Sequence, residues 1–287
     1  METPIKAHEY YLQGFRLHSQ MTEKSNALAQ VMFRLARKEH PKYARAIGHL
    51  AYSRLIAWLS GWIDTPQPPD DLRTLADRAV ALDRDDYDNL WSQAGVYLYT
   101  AKFQSNRGAA CRKALDLYRV AINQAKDQAI TFNLHGLNVD LADAMFFTGT
   151  TRKDIDGAIK IAQKAIASVN SKHPKRFLWT LGWAYYERAY FTQRESDYIR
   201  SLDALLKIAN PSDQIVRNII ANYVALGWTK PAQRLAREVM SRSPRYSLAQ
   251  EDRWPYQDPK RLKRWKDHLA QAGLPEKPRP AGARAAR

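Results

Sequence analysis

The strongest constraint on the fold is a pattern of aromatic, small and helix-stopping residues that recurs along the chain. Its clearest copy runs from residue 213 to residue 247 and contains, in order, Tyr223, Gly227, Ala232, Ala236 and Pro244. Small residues one helical turn apart let two helices approach closely, the glycine permits a turn, and the proline cannot continue a helix. This copy therefore predicts two antiparallel helices joined at Gly227.

Five further copies, with insertions in the turn, precede it along the chain. They begin near Ala7, Ala44, Tyr87, Leu141 and Lys175. Tandem units of roughly 34 residues are typical of repeat proteins, in which each unit is one supersecondary element stacked on the next. No convincing stretch alternates between polar and apolar residues, as a half-buried strand would. Six tandem units predict an all-α fold.

One more helix is predicted after the last copy, in the segment DPKRLKRWKDHLAQAG. Leu262, Trp265 and Leu269 lie on one face of it, with Lys and Arg elsewhere. The last unit of a repeat array needs its apolar face covered, so we expect this helix to act as a cap. The remainder is rich in Pro and Arg and is expected to be disordered. We thus predict a helical repeat domain over residues 1–273 and a basic tail over 274–287.

The repeated unit resembles the tetratricopeptide repeat (TPR). Three stretches also resemble the TPR module attached to bacterial class III adenylate cyclases and to some winged-helix transcription regulators: HPKRFLWTLGWAYYERAYF, ANYVALGWTKPAQRLAREVM and YSLAQEDRWPYQDPKRLKRWKDHLAQAGLPE. The N-terminal EYYLQGFRLHSQMTEKSNALAQVMFRLARKEHPKYARAIGHLAYSRLIAW also resembles the opening repeats of that module. The resemblance covers most of residues 8–276. It implies a TPR-like α-solenoid, a right-handed superhelix of about six helix pairs plus a C-terminal capping helix. Because the repeats occupy nearly the whole chain, it implies an interaction or regulatory platform and neither cyclase nor DNA-binding activity.

The resemblance also assigns residues to a concave groove, which the first helix of each TPR pair lines. The assigned residues are Tyr11, Phe15, Arg45, Tyr52, Ile56, Trp91, Tyr99, Asp143, Phe147, Arg176, Trp179, Trp183, Glu187 and Arg217. An aromatic groove suits an extended or helical peptide, and Trp179 and Trp183, one helical turn apart, are the leading pair. The alternative is that each aromatic belongs to the core between repeats. The Lys/Asn clamp with which resembling cochaperone domains hold a C-terminal carboxylate is not reproduced, so no chaperone tail is predicted as partner.

The net charge of +16 is unevenly distributed. Residues 229–287 hold 15 Lys plus Arg against 6 Asp plus Glu, whereas residues 63–90 hold eight Asp against three Arg. A basic C-terminal surface is predicted at Lys260, Arg261, Lys263, Arg264 and Lys266. There Trp265 could stack on a nucleic-acid base between cations, or it could pack inward while the cations are solvated. The asymmetry also suits an acidic partner or head-to-tail self-association.

Motifs of catalysis and metal binding are missing from the sequence. It contains no phosphate-binding loop, no HExxH and no GxSxG elbow, and its seven histidines never fall in a zinc-ligand spacing. The single cysteine, Cys111, excludes an intramolecular disulfide and is expected to be buried as a small apolar residue. No apolar run is long enough to span a bilayer, and the first residues lack the apolar region of a secretory signal. We expect a cytoplasmic, non-enzymatic protein without cofactor or metal.

Three functions remain open at this point. The first is a scaffold or adaptor that binds a partner protein or peptide in the groove. The second is a regulatory subunit acting in trans on an adenylate cyclase or transcription regulator, which only the family resemblance suggests. The third is nucleic-acid binding through the basic C-terminal region. A homo-oligomer is compatible with each of them.

Overall fold

The helices expected from the repeats are present in the computed structural model, which describes residues 4–63, 65–128, 131–169 and 175–278. These residues form helices and no strand, so the all-α prediction is confirmed. The α-helices are α1 (Ile5–His18), α2 (Glu23–Glu39), α3 (Ala44–Leu59), α4 (Leu72–Leu82), α5 (Tyr87–Thr100), α6 (Arg107–Asp127), α7 (Thr131–Thr148), α8 (Arg152–Ala167), α9 (Lys175–Thr192), α10 (Glu195–Leu205), α11 (Asp213–Ala225), α12 (Thr229–Arg242) and α13 (Pro259–Gln271). None of the described helices is long and apolar enough to cross a bilayer.

Each of the six predicted copies corresponds to one pair of helices, from α1 with α2 to α11 with α12. In the clearest copy the two helices are joined at Gly227, whose φ of 75° lies in the left-handed region that favours glycine. The turn predicted at this glycine is confirmed. The additional helix predicted after the last copy is α13.

The chain divides into two compact units. Unit 1 comprises Met1–Leu137 and unit 2 comprises Asn138–Arg287. The single domain predicted over residues 1–273 is therefore two units, each built from the same kind of helix pair. The right-handed superhelix implied for the whole array stays a prediction.

Side chains at the helix starts explain several of the boundaries. Thr22 accepts a hydrogen bond from the Ser25 amide, and Thr151 accepts one from the Asp154 amide. Asp258 caps α13 by accepting from the Lys260 amide. Each cap satisfies a backbone amide that has no partner inside its helix. The local sequence therefore fixes where these helices begin.

Small residues set how closely paired helices approach. A Cβ atom on Gly14 of α1 would lie 2.7 Å from Cε1 of Phe33 on α2. A Cβ on Gly182 of α9 would lie 2.6 Å from Cγ of Leu205 on α10. Cys111 is buried on α6, as expected of a small apolar residue. The small positions of the repeat pattern are thus packing positions.

The packed chain continues past the predicted start of the tail. Leu274 is only 3% exposed, and the carbonyl of Pro275 accepts a hydrogen bond from the Leu248 amide at 2.9 Å. The predicted boundary at residue 274 is wrong, because the apolar Leu274 belongs to the core of unit 2. Residues 279–287 of the predicted tail lie outside the described residues.

Two glycine-to-alanine substitutions distinguish the effect of close packing on stability from the effect of helix propensity. Gly182→Ala is expected to destabilise the protein by about 1–3 kcal/mol, because the new methyl group overlaps Leu205. Gly136→Ala, in α7, meets nothing within 4 Å and is expected to stabilise by about 0.5–1 kcal/mol through helix propensity. Urea unfolding measures both, and effects of the same sign would contradict this account of the helix pairs.

Candidate partner-binding site

The first helices of the three pairs in unit 2, α7, α9 and α11, bring several predicted groove residues together. Trp183 lies between Phe147 of α7, at 5.0 Å between ring centroids, and Trp179, at 5.1 Å. Glu187 follows Trp183 by one turn on α9, and Arg217 lies on α11. We call the side of these helices that carries Phe147, Trp179, Trp183, Glu187 and Arg217 the unit 2 face.

The unit 2 face is covered by the chain itself. Residues 246–275, here called the C-terminal segment, include α13, which packs against α11. The Trp254 ring stacks on Phe147 at 5.4 Å and an interplanar angle of 8°. The Trp265 ring stacks on Trp183 at 5.1 Å. The helix expected to cap the end of the array thus belongs to a segment that fills the inner face of unit 2.

A buried carboxylate on α9 joins the face to the segment. Glu187 is 0% exposed and accepts hydrogen bonds from the Tyr256 hydroxyl at 2.5 Å and the Arg261 Nε at 2.7 Å. Trp183 Nε1 also donates to it, at 3.3 Å, and Arg264 lies at 3.3 Å. Burial raises the pKa of Tyr256 well above its ordinary value, which keeps its hydroxyl protonated as a donor. Both charges of the central pair are therefore satisfied without water.

A second buried carboxylate, Glu251, lies within the C-terminal segment. It accepts hydrogen bonds from Tyr246 at 2.6 Å, Trp254 at 2.7 Å and Trp265 at 2.8 Å. Arg217 of α11 forms an ion pair with it at 3.0 Å. The rings of Trp254 and Trp265, which cover the face, are thus also fixed by hydrogen bonds from their indole N–H groups.

The segment also supplies partners for the end of α7. Arg261 donates to the carbonyls of Gly149 at 2.7 Å and Phe146 at 2.5 Å. The Gln257 amide donates to the carbonyl of Phe147 at 3.1 Å. The last carbonyls of a helix have no partner inside it and carry partial negative charge. A guanidinium carries positive charge and several donors, so it is well suited to this position. The C-terminal end of α7 is therefore capped by residues more than a hundred positions away along the chain.

These contacts correct the predicted groove of unit 2. Four of its residues are buried and present almost no surface to a partner: Asp143, Phe147, Trp183 and Glu187. Trp183, half of the leading pair, is 1% exposed because Phe147, Trp254 and Trp265 surround it. The alternative reading, in which the aromatics are core, is correct at these positions.

The other three predicted groove residues of unit 2 are partly exposed. Arg217 is engaged by Glu251, and Arg176 pairs with both Asp140 and Asp143. Trp179 is half-buried. Burial raises the pKa of Asp143 to about 7, against the opposing effect of Arg176. This side of unit 2 is therefore occupied by internal ion pairs.

The predicted basic surface needs a correction as well. Arg261 is 0% exposed, since it is enclosed by Glu187 and the end of α7. Arg264 is largely buried, with its guanidinium 4.4 Å from the ring centroid of Tyr186. Trp265 points into the core, so the inward reading of this tryptophan is confirmed. Trp265 cannot stack on a base without unfolding α13.

The remaining cations of that surface lie at the outside of α13. Lys266 pairs with Asp252 at 3.0 Å, and Lys263 pairs with Asp267 at 2.7 Å. Lys260 is exposed. Local acids therefore offset part of the charge that the sequence pattern presents as a basic stripe.

Unit 1 presents a different face. We call the unit 1 face the group formed by Tyr11 and Phe15 of α1, Arg45 and Tyr52 of α3, and Trp91 of α5. Tyr52 and Trp91 lie 4.1 Å apart between ring centroids. Phe15 is 43% exposed and Trp91 is half-buried, whereas Tyr11 and Tyr52 are buried. Aromatic surface thus remains accessible here.

Charged groups lie at one end of the unit 1 face. Arg45 donates to Asp86 at 2.5 Å and lies 3.9 Å from Asp88. Burial and, to a smaller extent, the charge of Asp86 raise the pKa of Asp88 to about 7, against the opposing effect of Arg45. A cleft of about 560 Å³ opens beside Arg45 and Asp86. Of the other predicted residues, Ile56 is half-buried and Tyr99 is buried.

Two histidines that the repeat pattern did not assign support this face. The ring of His49 lies 5.6 Å from Phe15 and 5.7 Å from Trp91, and its Nε2 is 3.3 Å from the Tyr11 hydroxyl. His18 lies against Tyr52 and hydrogen-bonds to Ser53 at 2.9 Å. Burial lowers the pKa of His49 to about 3 and that of His18 to about 4. Because His49 follows Arg45 by four residues, one turn of α3, the sequence could have placed it on the same side of the helix.

The described side chains contain no group of three or more His, Cys, Asp or Glu that could hold a metal ion. The polar groups of the two faces are arranged as ion pairs and hydrogen bonds between helices. Such an arrangement positions elements of a fold or presents a surface.

Comparison with known proteins adds little to this description. No family model matches the sequence, and no curated protein matches it. Among solved structures, the TPR domain of P58(IPK) aligns with 93% of this chain and 97% of its own length, at 12% identity and a TM-score of 0.27. A structural likeness of this degree carries no inference about function.

Removing the Glu187 carboxylate tests the link between face and segment. Glu187→Ala is expected to destabilise unit 2 by about 3–5 kcal/mol, because Arg261 is left buried without a counter-charge. Glu238→Ala, at an exposed position of α12, should change stability by less than about 0.5 kcal/mol. Urea unfolding followed by tryptophan fluorescence measures both. A loss below about 1 kcal/mol for Glu187→Ala would show that the pair does not hold the segment.

Acid should destabilise unit 1 through His49. The unfolded chain binds a proton below about pH 6.5 and the folded chain only near pH 3, so the folded state loses about 1.4 kcal/mol per pH unit in that window. His49→Gln retains a donor and acceptor near Tyr11 but cannot titrate. Its stability deficit relative to the natural chain should shrink by about 2 kcal/mol between about pH 7.5 and pH 5.

Amide hydrogen exchange in α3 of both proteins measures this difference. Asp88, whose pKa is shifted in the opposite direction, is present in both and cancels. A deficit that is independent of pH would mean that the pKa of His49 is not lowered in the folded state.

Proposed function

We propose that this chain is a non-enzymatic interaction module that binds a polypeptide partner at the unit 1 face. The partner segment would carry aromatic or large apolar side chains that pack on Phe15 and Trp91. Its backbone or polar groups would meet the cleft beside Arg45. This proposal keeps the scaffold function expected from the repeats and assigns it to one half of the chain.

The observation that supports it is the occupant of the unit 2 face. There, a polypeptide segment rich in aromatic residues binds across the first helices of the helix pairs, and it does so through Trp254, Tyr256 and Trp265. The unit 1 face is built from the corresponding helices of its own pairs and carries the same residue types. Exposed aromatic side chains are the usual anchors of peptide recognition. A similar segment is therefore the ligand class that best suits unit 1.

The two alternatives receive less support. Base stacking by Trp265, considered for nucleic-acid binding, is not possible while its ring is buried, and Arg261 is enclosed as well. Regulation of a cyclase or transcription regulator in trans rests on the family resemblance, and no contact described above bears on it. An acidic partner, expected from the net charge, stays a prediction, because Asp86 and Asp88 already neutralise Arg45.

Peptides selected from a displayed random library on the full-length chain test the proposal. Phe15→Ala and Trp91→Ala are each expected to weaken binding of the selected peptides by at least about tenfold, the cost of losing one aromatic anchor. Trp228→Ala is the matched control, since Trp228 is 49% exposed in unit 2. Its binding should stay within about twofold of the natural chain.

Circular dichroism and the melting temperature establish that each variant is folded. Phe15→Ala is the more decisive variant, because its exposed ring contributes less to the core than Trp91. Unchanged binding in both face variants would contradict the assignment to unit 1.

A further inference from the structure

The first helix pair carries an unusual amount of exposed apolar surface. Six of the eleven large hydrophobic side chains that are exposed in the described residues lie between Ile5 and Val31. Exposed apolar side chains that form a common patch often mark an interaction site. Phe15 belongs to the unit 1 face, whereas Leu28 and Val31 lie on α2.

The position of α3 shows which side of the pair is left open. α2 meets α3 through Asn26, whose side chain donates to the Ser53 carbonyl at 3.0 Å. At 100° per residue, Leu28 and Leu35 lie on the side of α2 opposite Asn26. Likewise, Leu17 of α1 lies opposite Phe15, which contacts His49 of α3.

We call this side the end face. Its apolar residues are Tyr10, Leu17, Leu28, Val31, Met32 and Leu35. Leu28 and Val31 are exposed, and the other four are half-buried. In a stack of helix pairs this is the surface that a neighbouring pair covers. The end face is therefore shaped to pack against another helix pair.

The sequence of α2 is complementary to itself in the antiparallel direction. A two-fold axis between Val31 and Met32 places Leu28 opposite Leu35 of the other copy. The same axis places Lys24 opposite Glu39, and symmetry makes each pairing occur twice. Opposite charges then flank an apolar centre, as in helix pairs that select their partner through flanking charges.

The charges needed for this pairing are accessible. Glu39 forms only an exposed ion pair, with Lys6 at 3.2 Å, which contributes little stability. Lys24 is exposed at the start of α2. Neither side chain has to leave a buried site to reach a second copy.

We propose that the end face is a self-association surface, on which α2 of one copy packs antiparallel to α2 of a second copy. The surface is small, about ten side chains in each copy against roughly 20–30 in a standard interface, so the dimer is weak. None of its residues belongs to the C-terminal segment or lines the cleft beside Arg45. Two copies joined in this way present two partner-binding faces.

Sedimentation velocity of the full chain, from about 5 to 500 µM, tests this at the concentrations where a weak dimer forms. The natural chain should shift from monomer to dimer over this range. Val31→Asp, which places a charge at the axis, should raise the dissociation constant by at least about tenfold. Val120→Asp is the matched control, because Val120 is 45% exposed on α6 and Val31 39% on α2.

A charge exchange provides the specific signature. Lys24→Glu alone creates two like-charge pairs across the interface, one at each symmetry-related contact with Glu39, and should weaken the dimer about threefold to tenfold. Adding Glu39→Lys restores opposite charges and should bring the dissociation constant back to within about twofold to threefold. A monomer at every concentration, equal effects of the two aspartate variants, or no recovery in the double variant would each overturn the proposal.

Discussion

The buried carboxylate of Glu187 is the interaction on which the C-terminal half of the chain depends. A charge removed from water costs several kcal/mol unless it is paired and fully hydrogen-bonded. The partners of Glu187 are Trp183 on its own helix and Tyr256 and Arg261 from the C-terminal segment. The helix pairs of unit 2 therefore reach their stable state only with that segment in place. The same segment completes the end of α7 through the carbonyls of Phe146 and Gly149.

This dependence explains why the unit 2 face is covered and the unit 1 face is accessible, although both are formed by the first helices of helix pairs. In unit 2 the inward side of the first helices is filled by Trp254, Tyr256 and Trp265, and vacating it would break the hydrogen bonds and the ion pair of Glu187. In unit 1 the corresponding aromatics pack on one another and on His49, and Phe15 remains at the surface. A repeat fold offers many equivalent positions, and here the chain's own sequence decides which of them are open to a partner.

The helix pairs could be predicted from the sequence because their determinants are local. Gly227 and Pro244 end helices, and small residues such as Gly182 set the distance between partners within a few turns of chain. The contents of the groove could not be predicted in this way. Trp183 and Trp265 are distant in sequence, and spacing alone does not tell which helix face a later segment covers. Arg261 looked solvated because an amphipathic pattern identifies an apolar side but not a buried cation.

One feature of the sequence indicates that the C-terminal segment has partners elsewhere in the chain, as it does on the unit 2 face. The stretch QEDRWPYQ places Trp254 and Tyr256 beside the acid Glu251, which is more aromatic than a helix cap requires. Its partners lie on helices that no local pattern connects to it. In unit 1 the resemblance to the repeat assigns Tyr11, Phe15, Tyr52 and Trp91 to the groove, and these side chains lie close together in the structure. Their role in binding stays a prediction.

We infer that the C-terminal segment is a permanent part of unit 2 and does not detach from it in the folded protein. Native-state hydrogen exchange of the natural chain, compared between the amides of α9 and α13, tests it most directly. Because Glu187 and Trp183 are shared between face and segment, both helices should open together, with the same free energy and the same dependence on denaturant. Opening of α13 at a much lower free energy, while α9 keeps its protection, would contradict the claim and return the unit 2 face to the surfaces available for a partner.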